Sequence, residues 1–280
     1  MKKNISILVV ALLTVCNIAV AQHKDPHHSL GLKRATGVCT ANIGLEINAL
    51  QPEYNALPIF EELKMIKGND NVEVCIFIDD NKKVIWEKES KGATPNNYTW
   101  VVTTDELKEL EKRKKINLIF EGEDAIMNFK EEGKDENYFR KKYNLGKEEM
   151  LAQRQIRIAQ LLGVDTTASV RPKYVCVFKV NKESLLRPAY NISVEEIIET
   201  PKDGTNIYNW KTNDNAIEEL QLAYFQNNNT YPWTRMGYTY DWYYSHDNAD
   251  NNIIGLSEFL VKPNSTMVGN LVIYTISAPK

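Results

Sequence analysis

The stretch Val72–Phe120, VEVCIFIDDNKKVIWEKESKGATPNNYTWVVTTDELKELEKRKKINLIF, carries the reading on which the fold class depends. Four short segments in it, Val72–Ile78, Lys83–Glu89, Tyr98–Val102 and Ile116–Phe120, are rich in β-branched and aromatic residues. Asp-Asp-Asn and Gly-Ala-Thr-Pro turn residues separate them, which is the pattern of strands in a small sheet. Between the last two, Thr103-x-x-Glu106 has the spacing of a capping box, in which a threonine hydroxyl and a glutamate satisfy the orphan N–H groups of a first helical turn. That predicts a helix from about residue 104, with Leu107 and Leu110 facing the sheet.

Downstream, Lys147–Leu162 has helical apolar spacing and is stopped by Gly163. Met150, Leu151, Ile158, Leu161 and Leu162 fall on one stripe at 100° per residue, with Arg154 inside it and Arg157 beside it. A guanidinium on a buried stripe needs a carboxylate, a set of carbonyls or an anionic ligand, because an unpaired buried charge is costly. Further strands are expected at Tyr174–Val180, Arg235–Trp242, Gly255–Val261 and Met267–Thr275, and helices near Val194–Glu199 and Asn215–Phe225. Strands and helices mix without regular βαβ alternation. The class is therefore α+β, with mixed, mainly antiparallel sheets and packed helices. The charge-dense stretch 130–147 suggests a boundary between an N-terminal region, 22–130, and a C-terminal domain, 131–280.

Residues 1–21 read as a signal peptide. Lys2 and Lys3 precede the apolar run Ile5–Val15, and Ala19-Val20-Ala21 offers a cleavage site before Gln22. Export is the expected address. Leu13-Thr14-Val15-Cys16 has the outline of a lipobox, but Val15 stands where a small residue belongs, so lipidation at Cys16 is the lesser alternative. No later apolar run approaches the length of about 20 residues needed to span a bilayer.

Without residues 1–21 the chain loses Lys2 and Lys3 and no acid, leaving 32 basic against 37 acidic residues. With no basic stripe, this balance argues against nucleic acid as a partner. Cys39, Cys75 and Cys176 remain, which allows one disulfide and one thiol, or buried free thiols in the strand-like segments VEVCIFI and YVCVFKV. His23, His27 and His28 near the new N-terminus lack the fixed four-ligand set of a structural zinc site, and no metal or other cofactor is expected.

The segment Tyr231–Phe259 holds the candidate functional residues. Seven of its first fourteen residues are aromatic, against 10% in the chain as a whole, so one surface is concentrated here. If Arg235–Trp242 is extended, Met236, Tyr238, Tyr240 and Trp242 share one face and Arg235, Gly237, Thr239 and Asp241 the other, a row suited to a polar ligand or to water. In Gly255–Val261, Glu258 shares a face with Leu256 and Leu260, a cost that pairing with Arg235, Arg154 or Arg157 would offset.

Residues 150–262 resemble a family of bacterial proteins, many of them exported. The shared pattern is Arg157-x-x-Gln160-Leu161-Leu162-Gly163, then Leu185-x-Arg187-Pro188, then Pro232–Trp242, then Gly255-x-Ser257-Glu258-Phe259. The resemblance implies no activity. It implies only that these residues belong to one domain.

Two classes of function follow. In the first, a binding or interaction protein of the cell envelope, Trp233, Tyr238, Tyr240 and Trp242 stack on sugar faces while Arg235 and Asp241 hydrogen-bond hydroxyls, or the surface contacts another envelope protein. Arg154, Arg235, Asp241 and Glu258 complete that ligand-binding set. In the second, an enzyme, Arg235 or Arg154 holds an anion and Glu258 is the essential carboxylate, with Arg235 and Glu258 as the catalytic candidates. An early arginine with a late Ser-Glu strand is similar to ADP-ribosyltransferase-like toxins, but their Ser-Thr-Ser strand and Glu-x-Glu pair are missing here.

Overall fold

The computed structural model describes residues 64–68, 71–89, 92–114, 116–129, 141, 144–163, 171–188, 193–195, 237–241 and 254–277. The N-terminal segment with its signal-peptide, histidine and Cys39 readings lies outside the described residues, as does the helix expected near Asn215–Phe225.

The described chain runs β1 (Asn71–Ile78), α1 (Asp80–Glu89), β2 (Thr99–Thr103), α2 (Thr104–Lys114), β3 (Ile116–Glu121), β4 (Asp124–Phe129) and α3 (Lys147–Leu161). It continues through β5 (Tyr174–Asn181), a 3-10 turn (Lys182–Ser184), β6 (Leu185–Leu186), β7 (Tyr238–Tyr240), β8 (Ile254–Ser257), β9 (Phe259–Val261) and β10 (Val272–Ser277). Eight of these strands form one sheet in the order β3-β4-β10-β5-β1-β2-β9-β6, and β7 and β8 form a second, two-stranded sheet. Every ladder is antiparallel except β4 with β10. The fold is a mixed α+β arrangement with few helices.

Period-two alternation explains how both faces of the large sheet are apolar. Val72, Val74 and Ile78 of β1 and Cys176, Phe178 and Val180 of β5 enter one core, closed by Trp86 of α1, whose ring lies 5.1 Å from that of Phe178. Cys75 and Val175 enter the other core with Leu107 and Leu110 of α2 and Ile158 and Leu161 of α3. Strands from both sides of residue 130 interleave in this sheet, so the sheet does not divide there.

The predicted helix 104–114 forms, and the Thr103 hydroxyl accepts from the Glu106 N–H at 3.4 Å. Leu107 and Leu110 are fully buried, as expected. The expected strand Lys83–Glu89 is instead the body of α1. Asp79 caps it by accepting from the Lys82 N–H at 2.8 Å, and Lys83 pairs with Glu87 one turn on at 3.5 Å. The β-branched pair that suggested a strand, Val84 and Ile85, is 48% and 47% exposed, and within Val84–Trp86 Trp86 alone is buried. Strand β4 was not expected from the sequence. It returns from β3 through a two-residue turn at Gly122, whose φ of 59° suits glycine.

Gly255–Val261, expected as one strand, is broken at Glu258. Ser257 pairs with Tyr238 in the small sheet, whereas Phe259 pairs with Val101 in the large one. The last strand begins at Val272 rather than Met267. Met267 makes an isolated bridge to Val180 before a turn at Gly269, whose φ is 83°.

Cys75 and Cys176 are both buried free thiols. Cys75 lies opposite Val177 and Cys176 opposite Ile76, so the two side chains leave adjacent strands on opposite faces and do not meet. Burial raises both thiols, Cys176 to about 12.

Candidate functional site

The motif residues of the C-terminal half converge at the junction between the two sheets. Arg157 of α3 reaches Asp241, just after β7, in a bidentate pair: Nη1 donates to Oδ1 at 2.8 Å and Nη2 to Oδ2 at 2.7 Å. Arg157 is 4% exposed and Asp241 0%. Planar guanidinium and carboxylate groups match in this geometry, which fixes the register of α3 against β7.

Two residues earlier, the Thr239 hydroxyl donates to the Leu161 carbonyl at the end of α3 and accepts from the Leu256 N–H at 2.7 Å. Gly255 lies against the same atoms. A Cβ built there would collide with the Thr239 hydroxyl and the Leu161 carbonyl oxygen and sit 2.8 Å from the Thr239 carbonyl. This close backbone approach requires glycine.

A second set surrounds Arg187, which follows β6 and is fully buried. Its Nε donates to the Ser193 carbonyl at 3.3 Å, Nη1 to the Gly237 carbonyl at 3.3 Å and Nη2 to the Lys64 carbonyl at 2.6 Å. The guanidinium carbon lies 4.7 Å from the centroid of the Phe259 ring, a cation–π distance. Burial lowers Arg187 to about 10, while Glu106 and Glu258 act in the opposite direction. Glu106 of α2 accepts from the Ser257 N–H at 2.9 Å and from the Ser257 hydroxyl at 3.3 Å, and that hydroxyl oxygen accepts from the Lys64 N–H at 2.8 Å.

Glu258 completes the set. Its N–H donates at 2.9 Å to the Gly237 carbonyl that also receives Arg187 Nη1. The side chain is 8% exposed, and its Oε2 is buried with no hydrogen-bond partner among the described residues. Burial pushes its carboxyl up to about 8, with the Arg187 charge opposing. Two carboxylates thus act on one buried guanidinium. Glu106 accepts hydrogen bonds from Ser257, whereas the Oε2 of Glu258 has no hydrogen-bond partner among the described residues, and burial favours the protonated form of Glu258.

Of the six ligand-binding candidates, Arg154, Asp241 and Glu258 are described and all three are buried. Trp233, Arg235 and Trp242 lie outside the described residues. The polar row Gly237, Thr239 and Asp241 faces neither water nor an open surface: each member is buried and hydrogen-bonded to the protein. Arg154 meets a carbonyl, its Nε donating to Met127 of β4 at 2.6 Å, and burial lowers it to about 10.

Neither Arg154 nor Arg157 is the cation set against Glu258. Arg187 is, and it was legible only as a member of the Leu-x-Arg-Pro pattern. Glu106 was also missed as a site residue, because its spacing from Thr103 accounted for it as a cap. A glutamate at the start of a helix gives no sign that it reaches a serine 151 positions away.

No protein-family model, curated protein or solved structure gives a significant match to this chain. The roles of the motif residues therefore rest on the contacts described above. Among the described residues, no cluster of three or more His, Cys, Asp or Glu side chains is placed to hold a metal ion, and no helix is long and apolar enough to cross a membrane.

Proposed function

We propose that this chain is an exported binding or interaction protein of the cell envelope, whose recognition residues come from within Tyr231–Phe259 and stand on a rigid base made by the buried members of that segment, among them Tyr238, Thr239, Asp241 and Phe259. The supporting observation is the pinning of both ends of residues 242–253. On one side Asp241 is held by Arg157 and Thr239 by Leu161, and on the other Gly255 and Leu256 pack and bond against Thr239. A segment joining two fixed strands, and carrying Trp242, Tyr243 and Tyr244, has the form in which proteins place recognition residues on a scaffold. Aromatic side chains suit a glycan face or an envelope protein because they offer large contact area with few rotatable bonds. The basic-apolar-small pattern of residues 1–21 supports export, and the four motifs are read as the signature of this base.

The alternative, an enzyme acting through Glu258, has less support. A catalytic carboxylate must reach its substrate. Glu258 is 8% exposed, and Asp241 is closed in its pair with Arg157.

A thermal-shift series with envelope polysaccharides and solubilised envelope proteins tests the proposal, since a ligand that binds only the folded state raises its stability. We expect a shift that Trp233→Ala and Trp242→Ala each reduce without lowering the melting temperature of the free protein. No shift with any envelope fraction, or a shift indifferent to both substitutions, would sink the reading.

A further inference from the structure

The chain passes from the small sheet to the large one at residues 257–259, where Ser257 still pairs with Tyr238 and Phe259 already pairs with Val101. Three sets of contacts hold this joint. Glu106 of α2 accepts from the Ser257 N–H and hydroxyl, the Glu258 N–H donates to the Gly237 carbonyl at 2.9 Å, and Arg187 Nη1 donates to that same carbonyl at 3.3 Å. Gly237 immediately precedes β7, so Arg187 ties the small sheet to the end of β6.

The Glu258 side chain stands in the middle of these contacts without sharing in them. Its Oε2 is buried and has no hydrogen-bond partner among the described residues. Arg187 directs each of its three nitrogens at a carbonyl, those of Ser193, Gly237 and Lys64, rather than at Glu258. Among the described residues the charges around Glu258 are Arg187 itself and, acting on that arginine in turn, Glu106 of α2. Strands β7, β8 and β9 bring no charged side chain. Lys64 meets the cluster through its main chain, and Arg157 and Asp241, beyond β7, pair with each other.

With its proton in place Glu258 is neutral, and one carboxylate, Glu106, balances one guanidinium. Loss of the proton adds an uncompensated negative charge to a side chain that is 8% exposed. A buried carboxylate without hydrogen bonds is relieved either by moving to water or by drawing a donor to itself. The first movement pulls residue 258 off the Gly237 carbonyl, and the second pulls Arg187 Nη1 off it. Both loosen the same joint. Burial accordingly favours the neutral carboxyl, holding it up to about 8.

We propose that Glu258 is a proton-controlled latch, which keeps the joint at Gly237 and Ser257 closed while protonated and opens it on losing its proton. The latch is a property of the joint and holds whatever residues 242–253 bind.

Hydrogen exchange of the full chain from pH 6 to 9, expressed as protection relative to the unfolded rate, tests this. The Ser257 and Glu258 amides report on the joint, and those of Val74 and Cys75, paired on both sides in the large sheet, serve as the reference. We expect the joint amides to exchange through an opening that leaves the reference amides protected. That opening should become about tenfold more frequent per pH unit up to pH 8 and level off above it, because the proton is held in the closed form alone. Glu258→Gln, which cannot ionise, should abolish the rise. The proposal is overturned if Ser257 and Glu258 lose protection only together with Val74 and Cys75, or if their opening is indifferent to pH. Both outcomes are read on the wild-type chain, whatever the folding of the variant. It is equally overturned if Glu258→Gln folds and keeps the rise.

Discussion

Glu258 is a carboxylate buried between apolar neighbours. Its carboxyl is buried beside one guanidinium that Glu106 also faces, and its Oε2 has no hydrogen-bond partner among the described residues. The group titrates near 8 when folded, against about 4.3 for an unperturbed glutamate. Between those values the folded state binds the extra proton, so stability is greatest at the acid end and falls as pH rises toward 8. The slope contributed by this one group is about 1.4 kcal/mol per pH unit, and the contribution levels off above 8. Glu258→Gln should remove that slope. Urea midpoints measured from pH 5 to 9 on both proteins check this, and parallel curves would show that Glu258 is ionised in the fold. Sequence periodicity correctly marked Glu258 as a carboxylate among apolar neighbours, because alternation is a local property. Its cation, Arg187, lies on a different element, and no local pattern connects the two.

Elements show the same division. Helix α2 was legible because its start signal and its apolar residues, Leu107 and Leu110, lie within one short window and agree. The strand expected at Lys83–Glu89 became α1 because Asp79 supplied a cap and the sheet needed only Trp86 from that side, leaving Val84 and Ile85 to solvent. Between elements, the Arg157–Asp241 pair ties α3 to β7. Removing one partner leaves a buried charge uncompensated, so Arg157→Met and Asp241→Leu should each destabilise by about 3–5 kcal/mol. The double variant should recover a large part of that loss, because an apolar pair of similar volume carries no desolvation cost. A double-mutant cycle in chemical denaturation measures the coupling, and simple additivity would count against a closed pair.

For the whole molecule, the decisive feature is that the large sheet is not assembled in sequence order. β1 pairs with β2 and β3 with β4, but these two N-terminal pairs are joined only through the C-terminal strands β5 and β10. A fragment spanning 22–130 should therefore show no cooperative unfolding transition, whereas the intact chain should unfold with the large sheet as one unit. Far-UV circular dichroism through a thermal ramp distinguishes the two outcomes, and a sharp transition in the fragment would refute this view of the sheet. A charge-dense stretch such as 130–147 resembles a boundary because composition reports local solvation. It does not report which strands pair across it.

The α+β class, helices α2 and α3, the strand cores of β1 and β5, and the burial of Arg154 were all legible in the amino-acid order. Each follows from periodicity or capping within a few turns of chain. The interleaved strand order, the opposite facing of Cys75 and Cys176, the break at Glu258 and the choice of Arg187 as its cation depended on the folded arrangement. Each of these depends on pairing between segments far apart in the chain. Such pairing is selected by the total fit of two faces and by the need to neutralise buried charge, neither of which any short window of sequence contains.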